Sequence, residues 1–186
     1  MAIPISDWLD DVPALCVSVV VGLPLAEVCA RIIHDDDAEF ATIDEAARWI
    51  DGDWAEPRGW FAIGEIDGAV FVWEDNGWRG SGREVAAALS TGGAFASMYW
   101  NVNALSVFTY AREGAVVAQF EALRTPDDST WTSLTEVGAT RVVADDWSAA
   151  PWASGLILQS HVLGIEATAD RAWLSLPGVR FWVARL

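Results

Sequence analysis

Residues 60–74 read Trp60-Phe61-Ala62-Ile63-Gly64-Glu65-Ile66-Asp67-Gly68-Ala69-Val70-Phe71-Val72-Trp73-Glu74. Two apolar runs rich in aromatic and β-branched residues flank Asp67-Gly68, a dipeptide suited to a two-residue turn with positive φ. The stretch is read as a β-hairpin. Downstream, 94–100, 104–112 and 115–121 are three more strand-like runs, joined by Asn101-Val102-Asn103 and Glu113-Gly114. Connections this short favour antiparallel neighbours, so these runs are read as a meander. Upstream, 15–21 is a continuous apolar run ending at Gly22, which predicts a buried strand.

Helical signals lie between and beyond these strands. Pro24 opens a segment in which Leu25, Val28, Cys29, Ile32 and Ile33 share one helix face. Thr42 and Glu45 form a capping box ahead of Ala46, Ala47, Trp49 and Ile50. Asn76-Gly77 marks a turn. Ser81-Gly82-Arg83-Glu84 predicts a second capping box, for a helix packing Val85, Ala88 and Leu89 inward and stopped by Thr91-Gly92-Gly93. Thr125-Pro126-Asp127-Asp128 caps a helix carrying Trp131 and Leu134, with Gly138 behind it. Residues 151–165 are read as helical, with Trp152, Leu156, Gln159 and Leu163 on one side. A short helix after Thr168 and a last strand over 179–185 complete the chain. The expectation is an α+β protein, one domain over residues 1–186, whose mostly antiparallel sheet packs against short amphipathic helices.

Composition narrows the function classes. The 186 residues carry 27 acidic and 11 basic side chains, a net charge of −16, and every basic residue is arginine. Residues 1–75 hold 17 acidic and three basic residues, net −14, whereas 76–186 hold ten and eight, net −2. No basic face for nucleic acid is expected, because neutralising phosphates takes clustered cations. The apolar fraction of 53% excludes an acidic disordered tail. Asp7, Asp10 and Asp11 stand where an export signal needs positive charge, and 14–21 is far short of the roughly 20 residues that span a bilayer. A cytoplasmic protein without membrane attachment is expected. The lysine-free, alanine-rich composition is that of a GC-rich genome.

Motifs for chemistry are sparse. Cys16 and Cys29 lack zinc spacing and are read as buried thiols. Asp35-Asp36-Asp37 with Glu39 lacks the spacing of a calcium loop and is read as a solvated acidic loop. No metal site and no cofactor are expected. His161 beside Ser160 is read as a packing residue of its helix. Glu65 and Glu74 face each other if the turn is centred on Asp67-Gly68, where like charges could raise one pKa and yield a general acid; the preferred reading is that both are exposed edge residues.

Two stretches stand out as candidate ligand or partner sites. In the first, Trp73, Glu74, Asn76, Trp78, Arg79 and Arg83 surround a glycine-rich loop that opens a helix. Free backbone N–H groups there, with the two arginines, suit an anion. The spacing is neither a Walker A nor a dinucleotide fingerprint, and the loop also reads as a plain connection. In the second, Tyr99, Trp100, Asn101 and Asn103 place aromatics and amides at a hairpin tip. That combination holds sugars, aromatic ligands or a partner's side chain, or equally makes a turn flanked by core aromatics.

Trp8-Leu9-Asp10-Asp11, the run from Cys16 to Leu23, the 60–74 hairpin with Asn76-Gly77-Trp78-Arg79-Gly80, and the stretch Tyr99 to Ala104 resemble an uncharacterised actinobacterial family of domains of unknown function. The resemblance runs from Trp8 to about Phe120. It implies a bacterial origin and brings no activity, cofactor or site residue with it.

Three functions remain in play. The first in rank is a non-catalytic protein-binding module of immunity or regulatory type, its acidic N-terminal side meeting a basic partner and surplus tryptophans serving as anchors. The second is a small-ligand binder or carboxylate-based enzyme with a tryptophan-lined pocket near residues 73–83 and 99–103. The third is an acidic mimic of nucleic acid.

Overall fold

The computed structural model describes residues 12–51, 58–124, 126–136, 147, 149–166 and 168–185; Trp8–Asp11, Thr125 and Gly138 lie outside them. The elements in chain order are β1 (Leu15–Val21), α1 (Leu25–Ile32), β2 (Ala38–Phe40), α2 (Ile43–Asp51), β3 (Arg58–Ile66), β4 (Ala69–Asp75), α3 (Arg83–Ser90), β5 (Ala94–Trp100), β6 (Ser106–Arg112), β7 (Ala115–Glu121), α4 (Asp128–Glu136), α5 (Pro151–Leu163) and β8 (Arg180–Arg185). Short 3-10 turns occupy Arg79–Ser81 and Arg171–Ser175. All eight strands join one antiparallel sheet in the order β2-β8-β3-β4-β1-β5-β6-β7. This is the α+β arrangement expected, with the hairpin and the meander held together by β1.

That central place explains the unbroken apolar run of β1. Its six leading residues are buried, because β4 and β5 flank it and helices cover both faces. Leu15, Val17 and Val19 face α5, α4, Trp147 and Trp173. Val20 faces α1 and α3, together with Phe61, Val70, Val72 and Phe95. The first face holds most of the aromatic mass. Phe71 lies 5.2 Å from Trp173 between ring centroids, Trp100 stacks on Trp152 at 5.8 Å, and Trp131 meets Trp147 edge-on.

Several local expectations are corrected. The β3–β4 hairpin closes at Asp67 and Gly68, both at positive φ, which pairs Glu65 with Val70 and Glu74 with Phe61. Glu65 and Glu74 therefore do not face each other. Ser81 is not a helix cap. It belongs to the 3-10 turn and its hydroxyl donates to the Trp78 carbonyl, so Gly82 becomes the N-cap of α3. The sixth strand starts at Ser106 rather than residue 104, because Asn101 closes a loop by accepting from the Asn103 and Leu105 amides, with Ala104 at φ 59°. Strand β2, only three residues long, lies in what was read as an acidic loop. His161 is exposed rather than packed. Among the buried polar residues of α5, which include Ser154 and Ser160, Gln159 donates to the Val17 and Ala96 carbonyls at 2.9 and 2.8 Å. The Thr42–Glu45 box forms in both directions, at 3.1 and 3.3 Å.

Candidate functional site

Glu74 lies near the end of β4 on the face covered by α1 and α3, fully desolvated among Val72, Cys16 and the loop that follows. The chain turns at Asn76 (φ 51°) and Gly77, and the Arg79–Ser81 turn comes back over the sheet. There the Arg79 amide donates to Glu74 Oε2 and the Gly80 amide to Oε1, each at 2.8 Å. The amides expected to suit an external anion are taken up within the chain, by the side chain of Glu74.

A row of polar side chains supports the same turn from below. Ser18 of β1 pairs with Ser97 of β5, Ser97 with Thr109 of β6, and Thr109 with Gln119 of β7. Being cross-strand partners, these four share one face of the sheet. Ser97 donates to the Gly80 carbonyl at 2.7 Å, while Thr109 and Gln119 both donate to the Ser81 carbonyl, at 3.4 and 2.8 Å. Gly80 lies so close that a Cβ there would collide with Ser18 Oγ and stand 3.0 Å from Glu74 Oε1 and 3.1 Å from Cys16 Sγ. Only glycine permits that approach.

Burial pushes the Glu74 carboxyl above its ordinary value, opposed by the two amides, the Cys16 thiol and the Arg79 charge. Burial, reinforced by the Glu74 charge, pushes the Cys16 thiol well up. Burial thus disfavours the thiolate a nucleophile needs, and Cys16 Sγ lies 3.8 Å from Ser18 Oγ.

Beside this latch lies a cavity of about 210 Å³. Phe61, Val72, Ser18 and Glu74 form its floor; Arg31, Ile32 and His34 form one wall; Glu84, Val85, Ala88 and Leu89 form the other. Arg79 and Gly80 close one end. Two arginines set the spacing of its walls. Arg31 pairs with Glu27 at 3.0 Å and donates to the Ala88 and Thr91 carbonyls, at 2.7 and 2.9 Å, at the C-terminal end of α3. Arg79 donates to the Ile32 carbonyl at 3.5 Å, lies 3.6 Å from Asp37 Oδ1, and stands 5.8 Å from the centre of the Phe61 ring. Of the three residues expected to pack α3 inward, only Leu89 is buried. Val85 is half-buried and Ala88 exposed, and both line the cavity.

The cavity brings together only Glu74 and Arg79 among the residues singled out from sequence. Trp73 points to the opposite, aromatic face. Asn76 is an exposed turn residue whose amide donates to the Ala14 carbonyl at 3.1 Å. Trp78 is 55% exposed, and Arg83 is an exposed donor to Gln119. Tyr99 is buried two strands from Glu74, its hydroxyl accepting from Asn101. Trp100 belongs to the aromatic core, donating to the Val12 carbonyl. Asn101 shapes the loop on which Asn103 is exposed. Of the stretches 73–83 and 99–103 the cavity takes in Glu74, Arg79 and Gly80 alone, and among the described residues its aromatic lining is Phe61 rather than tryptophan. Arg31, His34 and the Ser18–Gln119 row escaped the sequence reading. Their one local signal is a lone hydroxyl or amide at the middle of a strand, as in Val17-Ser18-Val19.

Among the described residues no group of three or more His, Cys, Asp and Glu side chains is placed to hold a metal ion, and no helix is long and apolar enough to cross a membrane. The family of unknown function DUF6461 matches residues 8–171. The chain belongs to DUF6461. The match spans the Glu74 latch, the polar row and both cavity walls, so the site is part of the DUF6461 unit itself rather than an addition to it. No curated protein and no solved structure matches the chain.

Proposed function

We propose that this DUF6461 protein is a non-catalytic binding module that takes a small molecule into the cavity between α1 and α3. The observation that carries the reading is the cavity itself: about 210 Å³, walled by Phe61, Val72, Val85 and Leu89, with a buried carboxylate at its floor. A dry cavity of about 150 Å³ already accommodates benzene, so a ring-sized guest fits. Apolar walls with a few convergent polar groups are the usual composition of a ligand site. Binding rather than catalysis is favoured because each Glu74 oxygen already accepts from a backbone amide and burial disfavours the thiolate of Cys16. The test is ligand-observed NMR with ring-sized fragments on the wild type and on Ala88→Trp, which blocks the mouth from an exposed position. Fragment binding lost in Ala88→Trp supports the reading; no binding by the wild type ends it.

A second reading keeps the module but gives it a protein partner. Its support is Trp78, 55% exposed at the edge of the latch. Arg83 is also exposed, on the first turn of α3, and tryptophan and arginine are the common anchors of interfaces. The acidic N-terminal side would then meet a basic surface. A partner whose affinity survives Trp78→Ala unchanged would count against it. Both readings take the protein to be actinobacterial, on its lysine-free, alanine-rich composition.

A further inference from the structure

Resting on the cavity as a ligand site, we infer that its guest is a cation: an ammonium group on a ring-sized apolar body, the nitrogen donating to Glu74 and the hydrocarbon lying on Phe61, Val72 and Leu89. The donors and acceptors around the space decide the sign of the charge. Arg31 already donates to the Ala88 and Thr91 carbonyls and pairs with Glu27. Arg79 donates to the Ile32 carbonyl beside Asp37. A carboxylate offers about four acceptor positions, and the Arg79 and Gly80 amides take one on each oxygen of Glu74. Acceptor capacity on this buried carboxylate remains for a guest that donates.

The surrounding field agrees. Glu84 is exposed at the rim, and Asp35 and Asp36 are exposed next to His34 in the acidic half of the chain. A cleft edged by acidic groups concentrates cations and repels anions. An anionic guest would approach Glu74 and Glu84, with Nε and Nη1 of Arg31 and Nη1 of Arg79 already engaged.

Benzylamine, toluene and benzoate share one ring and differ in charge, so they separate the ligand class from the existence of the site. Titrated into the wild-type protein at pH 7 and followed by NMR, benzylamine is expected to bind at least tenfold more tightly than toluene, with benzoate weakest. Ala88→Trp is expected to abolish binding of benzylamine. Glu74→Gln is expected to weaken benzylamine at least fivefold and toluene little; because Glu74 also holds the turn, the three-probe series on the wild type decides if that variant fails to fold. Toluene or benzoate binding as tightly as benzylamine, in a manner lost in Ala88→Trp, overturns the cation and leaves the cavity as a site. Benzylamine binding that persists in Ala88→Trp overturns the inference, because the amine is then held elsewhere. No binding of any probe overturns both the inference and the reading beneath it.

Discussion

The two faces of the sheet solve the same packing problem in opposite ways. On the face beneath α4 and α5, large rings interlock: Trp73, Trp100, Trp131, Trp147 and Trp173 are all buried there, and the polar Gln159 is satisfied by two strand carbonyls. Beneath α1 and α3 the central strands instead carry Ser18, Ser97, Thr109 and Glu74, a loop is latched across them, and a cavity is left beside the latch. Apolar burial is the main support of the first face. The second gives up apolar contact for a hydrogen-bonded network, which costs stability wherever one partner goes missing. Where a small domain forgoes packing on one side only, that side is the place to look for function.

The largest expected effect tests the tight face. Trp100→Ala removes a ring that is 1% exposed, its stacking on Trp152 and its bond to the Val12 carbonyl. Truncations of this kind cost about 4 kcal/mol, read as a lower urea midpoint. A loss under about 1 kcal/mol would show that the aromatic face is as loosely packed as the other.

Next in size is the latch. Gly80→Ala places a methyl group against Ser18, Glu74 and Cys16 and forces the turn off the sheet. About 3 kcal/mol of stability is expected to go, and with it the protection of the Arg79 and Gly80 amides from hydrogen exchange. Unchanged protection would mean that the carboxylate does not hold these amides.

These two sites also mark what was legible in the sequence. Devices confined to a few neighbouring residues could be read directly: the Asp67-Gly68 hairpin, the α1 apolar face, the Thr42–Glu45 box, and Asp127 capping α4 by accepting from the Thr130 amide. Glu74 and Arg79 were legible because glycines and charges cluster around them. The polar row was not, since Ser18 and Gln119 are 101 positions apart and meet only through the register of four strands. Ser81 misled because its spacing to Glu84 satisfies a capping pattern while its own residue belongs to a tighter turn. The α3 wall of the cavity was hidden for a related reason: Val85 and Ala88 have the periodicity of packing residues, and periodicity does not report whether the space opposite is filled.

A medium effect joins the latch to pH. Glu74→Gln keeps the shape but sets an amide nitrogen against a backbone N–H, at a cost of about 2 kcal/mol. Burial raises the Glu74 carboxyl above 4.5, so the folded state keeps this proton to higher pH than the unfolded chain does. The stability this group contributes is complete below its unfolded value and is lost as pH rises through its folded value. Wild-type stability minus that of Glu74→Gln should therefore fall as pH rises above the ordinary carboxylate range. A difference that grows with pH would mean that the amides and Arg79 outweigh desolvation.

The smallest effect sets the two faces directly against each other by adding atoms instead of removing them. Ala96 is wholly buried under the aromatic side, so Ala96→Val overpacks it and should cost about 1–3 kcal/mol. Val85→Ile adds a methylene at the cavity wall, keeps the β-branched shape and meets open space, so it should stabilise by about 0.5 kcal/mol. The opposite signs are the point, and denaturant midpoints of the two variants read them in one experiment. The same methylene takes volume from any guest, so Val85→Ile should weaken a ring-sized ligand even as it steadies the fold. Stability and binding moving in opposite directions would identify the gap as kept for a ligand; a destabilised Val85→Ile would mean that the space between α1 and α3 closes in solution and that this face, too, is packed.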